Sequence, residues 1–280
     1  MKKIIIFIII LVLAAIATSA LMNISKNKNV AKSNDSPGLN FIDNYSKPNK
    51  DTKKTEQTPI KEYKVPILMY HYIRDLNDSN DKVGTNLSVS PKKFDEQLKW
   101  LRDNGYNTVN PDYLLTPYAL TSKPIIITFD DGYKDAYTDA YPILKKYGFT
   151  ATFYLITNYL EKNNPNYLSW DQVRELKNTN MNIGSHTISH PSLDKANDNS
   201  LTKEIENSKK IIEEKIGSAI NDFCYPSGKY DTRTISALKK IGFKTAATVK
   251  SGVANQNSNL FELPRIRMTN NISLATTLNK

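Results

Sequence analysis

Cysteine and histidine are nearly absent from this 280-residue chain. Its one cysteine, Cys224, excludes an intramolecular disulfide, so stability must come from a buried core. A composition of 39% hydrophobic and 24% charged residues can supply that core. No cysteine lies near the N-terminal apolar run, which excludes lipoprotein processing there, and no internal repeat is visible. The histidines number three, His71, His186 and His190. None follows His190, so any chemistry that needs an imidazole must use one of these.

The charge balance is also less basic than it looks. The net charge is +10, but residues 1–64 carry 11 lysines against 5 acidic residues, which leaves +4 for residues 65–280. Most of the basic character therefore belongs to the tail. A nucleic-acid-binding function loses its main support, and attraction to anionic envelope polymers accounts better for the charge. Lys2 and Lys3 precede an apolar run from Ile4 to Ala17 that continues weakly to Met22. This pattern predicts that residues 1–22 are an export signal, cleaved near Thr18-Ser19-Ala20 or kept as a membrane anchor. Residues 23–64, rich in Asn, Lys, Ser, Thr and Pro, read as a flexible basic linker. The folded domain is expected over residues 65–280, as a monomer outside the cytoplasm.

From Val65 onward, short β-type runs alternate with helical patterns. Pro66 to Tyr70 reads as a first strand. The unbroken run Ile125-Ile126-Ile127-Thr128-Phe129 reads as a strand buried on both faces. Ser90 followed by Pro91 predicts a helix start, and Ser169 with Gln172 predicts a capping box. Further strands are expected at 150–156, near 184–185, at 223–225, 245–249 and 263–268. Seven or eight strand–helix units point to an α/β protein with a parallel sheet, most economically a (β/α) barrel. An open doubly wound sheet would leave the same local signature.

His71, Asp130-Asp131 and His186 each follow a predicted strand end. In a barrel those ends share the face on which catalytic groups collect. His186 and His190 are four apart, so a helical turn would bring both imidazoles to one ion. A polar turn carrying two exposed histidines is an equal reading of that string by itself. Asp130-Asp131-Gly132 is good turn chemistry. Directly after so apolar a strand, however, two adjacent carboxylates are costly to bury without a cation. A metal ligand beside a general base is the stronger reading.

Thr128-Phe129-Asp130-Asp131-Gly132 and Ser185-His186-Thr187-Ile188-Ser189-His190 together resemble the first two motifs of the polysaccharide deacetylases, carbohydrate esterase family four. The resemblance runs from about Val65 to Met268. It implies a distorted (β/α) barrel, Asp130 as general base, and one divalent ion held by Asp131, His186 and His190. Zinc is the expected ion, with cobalt, nickel or manganese as alternatives. Cys224-Tyr225-Pro226-Ser227-Gly228 resembles the third motif, which implies the Ser227 N–H as an oxyanion donor. The arginine that heads this motif in many relatives is Cys224 here, which leaves the usual contact with the base open. Many members take their general acid from a C-terminal histidine, which this chain lacks. Met69-Tyr70-His71-Tyr72-Ile73 resembles the branch acting on poly-N-acetylglucosamine, where this histidine is the acid. Leu263-Pro264-Arg265-Ile266-Arg267 also resembles that branch, with Arg265 or Arg267 facing the site. The expected activity is hydrolytic de-N-acetylation of an extracellular N-acetylglucosamine polymer. Peptidoglycan is the rival substrate, and a non-catalytic glycan-binding protein is the reading from another class.

Overall fold

The computed structural model describes residues 62–76, 80–115 and 121–278. The expected export segment, and all but the last three residues of the expected linker, lie outside them. No helix among the described residues is long and apolar enough to cross a membrane.

Among these residues, seven parallel strands close on themselves: β1 (Ile67–Tyr70), β2 (Pro124–Phe129), β3 (Thr152–Leu155), β4 (Asn182–Ser185), β5 (Asp222–Cys224), β6 (Thr245–Ser251) and β7 (Leu263–Arg267). Each strand pairs with the next in chain order, and β7 returns to pair with β1, placing Ile266 beside Leu68. The β1–β2 register runs from Ile67 opposite Ile126 to Tyr70 opposite Phe129. The expected barrel is therefore closed, and the open-sheet alternative is excluded. Short pieces decorate it: Asn107–Thr108 extends the sheet beside β2, and Lys64–Val65 pairs antiparallel with Ala254–Asn255.

Five helices fill successive crossovers: α1 (Pro91–Asp103), α2 (Tyr141–Tyr147), α3 (Trp170–Asn178), α4 (Asp198–Ile216) and α5 (Thr232–Ile241). Their starts follow local chemistry. The Ser90 hydroxyl accepts from the Lys93 N–H at 3.1 Å with Pro91 in the first turn. Ser169 and Gln172 form the reciprocal capping box. The β6–β7 connection has no helix of this kind, and the register shifts between these strands. That is where the barrel is distorted.

Alternation along the strands sorts two interiors. Leu68, Tyr70, Ile125, Ile127, Phe129, Phe153 and Leu155 join the large core against the helices. Their neighbours point the other way. Ile67, Ile126 and Leu263 form one cluster, and Tyr154, Cys224 and Ala247 another. This explains the apolar run of β2, since both of its faces are covered. The inner space is tight as well as mixed in polarity. A Cβ on Gly184 of β4 would sit 2.6 Å from the Tyr154 ring, so only glycine lets that ring pack there.

A carboxyl group is built into the opposite end of this barrel. Asp222 opens β5, is fully buried, and accepts from Thr245 Oγ1 and Asn182 Nδ2, both at 2.6 Å. Burial, then the nearby Asp112 carboxylate, pushes its pKa up to about 7 from 3.8. The folded state thus keeps this proton to higher pH than the unfolded chain does. The contribution of Asp222 to stability therefore falls as pH rises from about 4 to about 7 and is flat beyond. Asp222→Asn, with the Asn182 amide turned to match, is expected to be more stable than wild type at pH 8. At about 1.4 kcal/mol per pK unit, the gain is of order 2–4 kcal/mol. Urea unfolding at pH 4, 6 and 8 checks this. A stability gap independent of pH would sink the assignment.

Candidate active site

The C-terminal ends of β1, β2, β4 and β5 deliver the reactive side chains. Asp130 and Asp131 follow β2 and are 2% and 7% exposed. Asp131 and Gly132 both take left-handed φ angles, 73° and 78°. This sharp turn lets two adjacent carboxylates face different partners.

Asp131 Oδ1 lies 3.3 Å from His186 Nε2 and 3.6 Å from His190 Nε2. His186 Nδ1 is 2.7 Å from the Cys224 carbonyl oxygen. A proton on Nδ1 is therefore spoken for, and Nε2 is left as a lone-pair donor, the usual outer-shell arrangement of a metal-ligating histidine. Burial works against positive charge on His186, but Cys224 and the Asp131 carboxylate reverse that and raise its pKa. His190 moves down, through burial and then through His186. One carboxylate and two imidazoles thus compete to share one positive charge. As a donor set they fit a divalent ion of the zinc class with positions left open. The sequence expectation of a helical turn across His186–His190 is corrected. The segment bends instead, with Thr187 at φ 70° and His190 at φ 62°.

Asp130, His186 and Cys224 also present donor atoms close to one another. Their surroundings argue against an ion. Both Asp130 oxygens are taken by the Arg265 guanidinium, Nη1 to Oδ1 at 2.7 Å and Nη2 to Oδ2 at 2.8 Å. The Cys224 sulfur lies 3.1 Å from Arg265 Nη2, and burial raises its thiol pKa. A fixed cation already occupies that corner.

Arg265 is therefore the arginine that faces the site. It is fully buried in β7, with Nε donating to the Thr248 carbonyl at 2.7 Å and Nη1 also to Thr128 Oγ1 at 3.1 Å. Arg267, at the end of β7, is exposed. Burial pushes the Asp130 pKa up, yet the charge and bidentate hydrogen bonds of Arg265 prevail and hold it well below the usual carboxylate range.

His71 follows β1 and presents Nε2 at 3.7 Å from Asp130 Oδ2. Burial lowers its pKa, and Asp130 and Asp131 pull in the opposite direction without restoring it. Ser227 lies on the turn Pro226–Gly228 after β5, exposed, and itself at a left-handed φ of 52°. The Tyr72 and Tyr133 rings stack at 3.7 Å, and Tyr167 continues the row at 5.1 Å from Tyr133. With Arg74, Asp135 and Asn166 these three tyrosines line an open pocket of about 400 Å³. Among the other aromatics, Trp170 and Tyr225 are in the core and Tyr137 packs against it, while Tyr133 is in the wall of the pocket.

Comparison with known proteins assigns this closed parallel barrel, with its Asp-Asp turn and two rim histidines, to a class of carbohydrate-acting hydrolases. The polysaccharide deacetylase family profile matches residues 118–246. The chain is 35% identical over 214 residues to YxkH of Bacillus subtilis (strain 168), a provisionally named polysaccharide deacetylase, covering 75% of this chain and 73% of that one. It is 27% identical over 251 residues to the poly-β-1,6-N-acetyl-D-glucosamine N-deacetylase of Staphylococcus aureus (strain MSSA476), covering 81% and 87%. The solved structure of the Streptococcus pyogenes deacetylase PplD in complex with acetate superposes with a TM-score of 0.73 at 33% identity, over 78% of this chain and 97% of that one. The chain belongs to the polysaccharide deacetylase family and is a hydrolase of amide bonds.

Proposed function

We propose that this chain removes N-acetyl groups from an N-acetylglucosamine polymer outside the cell, with poly-β-1,6-N-acetylglucosamine as its first substrate. The observation that carries this reading is one carboxylate locked by Arg265 beside a second that faces two imidazoles. Asp131, His186 and His190 would hold one divalent ion, zinc first among the choices. When bound, the ion supplies Lewis acidity, polarising a carbonyl oxygen and acidifying water.

The protein's own groups do the rest. A carboxylate held as low as Asp130 is a weak base, suited to taking a proton only from strongly acidified water. Arg265 keeps it ionised and fixes both oxygens. The Ser227 N–H, on the neighbouring turn, would donate to the developing oxyanion. Hydrolysis breaks the C–N bond, and the departing amine needs a proton. Burial lowers the His71 pKa and favours the neutral imidazole, so His71 would gain that proton during turnover. Asp130, 3.7 Å away, is its nearest source. Transfer from Asp130 to His71 and on to the amine returns both groups to their starting states. The tyrosine-walled pocket, built on the loops that carry His71 and Asp131, would hold a sugar flanking the one being deacetylated. The residues 1–22 segment would keep this chemistry at the outer face of the membrane.

Acetate release from β-1,6-linked and β-1,4-linked N-acetylglucosamine oligomers and from peptidoglycan, with and without a chelator, tests the reading. The β-1,6 oligomer is expected to react fastest, and chelation to stop the reaction. Preference for peptidoglycan would move the substrate assignment, and no acetate from any glycan would end it. His71→Ala is expected to lower kcat on the amide roughly 10²-fold or more, the scale of lost acid catalysis. A nitrophenyl acetate ester has a leaving group that needs little protonation, so its hydrolysis should fall far less. Equal losses on both would make His71 a group that shapes the site.

A further inference from the structure

The His186–His190 segment is bent through conformations its residues do not favour. Thr187 and His190 both take left-handed φ angles. For a β-branched threonine this is a genuine outlier, at a cost of order 1–3 kcal/mol, and it persists only where the surroundings over-determine it. Part of the restraint is local. Ser185 Oγ accepts from the Thr187 N–H at 3.2 Å, and Thr187 Oγ1 from the His190 N–H at 3.0 Å. The Asn158 N–H donates to the Ile188 carbonyl at 3.0 Å.

Most of the long-range restraint comes from one helix. Glu204 of α4 accepts from the Ile188 and Ser189 N–H groups on a single oxygen, Oε2, each at 2.9 Å. Its other oxygen, Oε1, accepts from Ser189 Oγ at 2.7 Å. One helical turn further on, Ser208 Oγ lies 2.7 Å from Ser185 Oγ. The spacing of four puts both residues on one face of α4, so the helix grips the segment at its two ends. Three donors on one carboxylate are charge-assisted hydrogen bonds, stronger and more directional than neutral ones. They hold the peptide units between the two imidazoles that meet Asp131.

We propose that Glu204 is a positioning residue for the metal centre: its carboxylate fixes the Ile188–Ser189 turn so that His186 and His190 converge on one ion. The proposal rests on the reading that Asp131, His186 and His190 hold that ion. Glu204 itself is not a ligand. Its role differs from ordinary fold maintenance, because it sets the relative placement of two donors rather than the existence of the helix or strand.

The test is zinc affinity, measured on the full chain after removal of metal, by competition with a chromophoric chelator. Circular dichroism and thermal melting of the metal-free protein run in parallel. Glu204→Ala is expected to bind one zinc ion with affinity reduced ~10–100-fold, the usual scale for loss of an outer-shell partner. Glu204→Gln should lose less, because its amide oxygen can still accept both N–H groups. Ser189→Ala, which removes only the hydroxyl bond, should lose least. If Glu204→Ala fails to fold, the other two variants decide by the same ordering. Folded variants that all bind zinc as tightly as wild type would overturn the proposal, whatever their melting temperatures. Wild type that binds no zinc would instead overturn the site reading on which it rests.

Discussion

Asp130→Asn is expected to bind the same amount of divalent ion as wild type and to deacetylate at least ~10²-fold more slowly, the scale of a lost general base. The substitution is nearly isosteric and leaves Asp131, His186 and His190 untouched. What it removes is the capacity to accept a proton, together with the charge that neutralises Arg265. The introduced amide oxygen can still accept one guanidinium hydrogen bond, but the buried cation then lacks its counter-charge. A loss of stability of a few kcal/mol should therefore accompany the loss of rate, since breaking a buried pair from one side costs about 3–5 kcal/mol. Acetate release, metal analysis and urea unfolding on the same preparation separate the effects. Near-normal turnover would make Asp130 a purely structural partner of Arg265 and require another base.

How much of this could be read from the residues varies with the kind of information. The strand–helix units and the rim were legible because the signals are local, whereas closure into a barrel was implied only by the family resemblance. The run Ile125–Phe129 has no polar face, and His71 and His186 each follow a strand end directly. The caps at Ser90 and Ser169 use chemistry contained within three or four residues. The choice between Arg265 and Arg267 was not legible, for a geometric reason. They are two apart on one strand and so share a face. Only depth along the barrel distinguishes them, and the stagger between β6 and β7 sets that depth, where the register shifts. Arg265 also restores, from another strand, a contact that Cys224 cannot make from the third motif.

The bend at Thr187 was hidden for a different reason. Propensity argues against a left-handed threonine, and long-range hydrogen bonds from α4 and from Asn158 add to the local ones in making it tenable. Glu204, read along its helix, looks like one more solvent-facing carboxylate. In both cases the missing information is tertiary.

The second large effect belongs to Arg265, and its signature is a reversal of the pH dependence of stability. In wild type the folded-state pKa of Asp130 lies below its ordinary value of 3.8. Its pairing with Arg265 therefore stabilises the fold above about pH 4, and that contribution is lost as pH falls through the folded pKa. Arg265→Met fills similar volume but removes the cation. Burial, which already pushes the Asp130 pKa upward, is then opposed mainly by the nearby histidines, and the pKa rises above its unfolded value. Relative to wild type, in which the Asp130 contribution is constant over this range, the variant should lose stability as pH increases from about 4 to 7. At pH 7 the expected loss is about 3–5 kcal/mol, with activity falling at least as far as in Asp130→Asn. Adding Asp130→Asn to Arg265→Met removes the stranded charge, so the double variant should regain most of the stability and none of the activity. Urea unfolding of metal-free protein across this pH range measures all three. A double variant no more stable than Arg265→Met would mean that the methionine fails to pack, and that charge is not what Arg265 contributes. A single variant whose stability falls with rising pH no more steeply than that of wild type would mean that Asp130 owes its low pKa to some group other than Arg265.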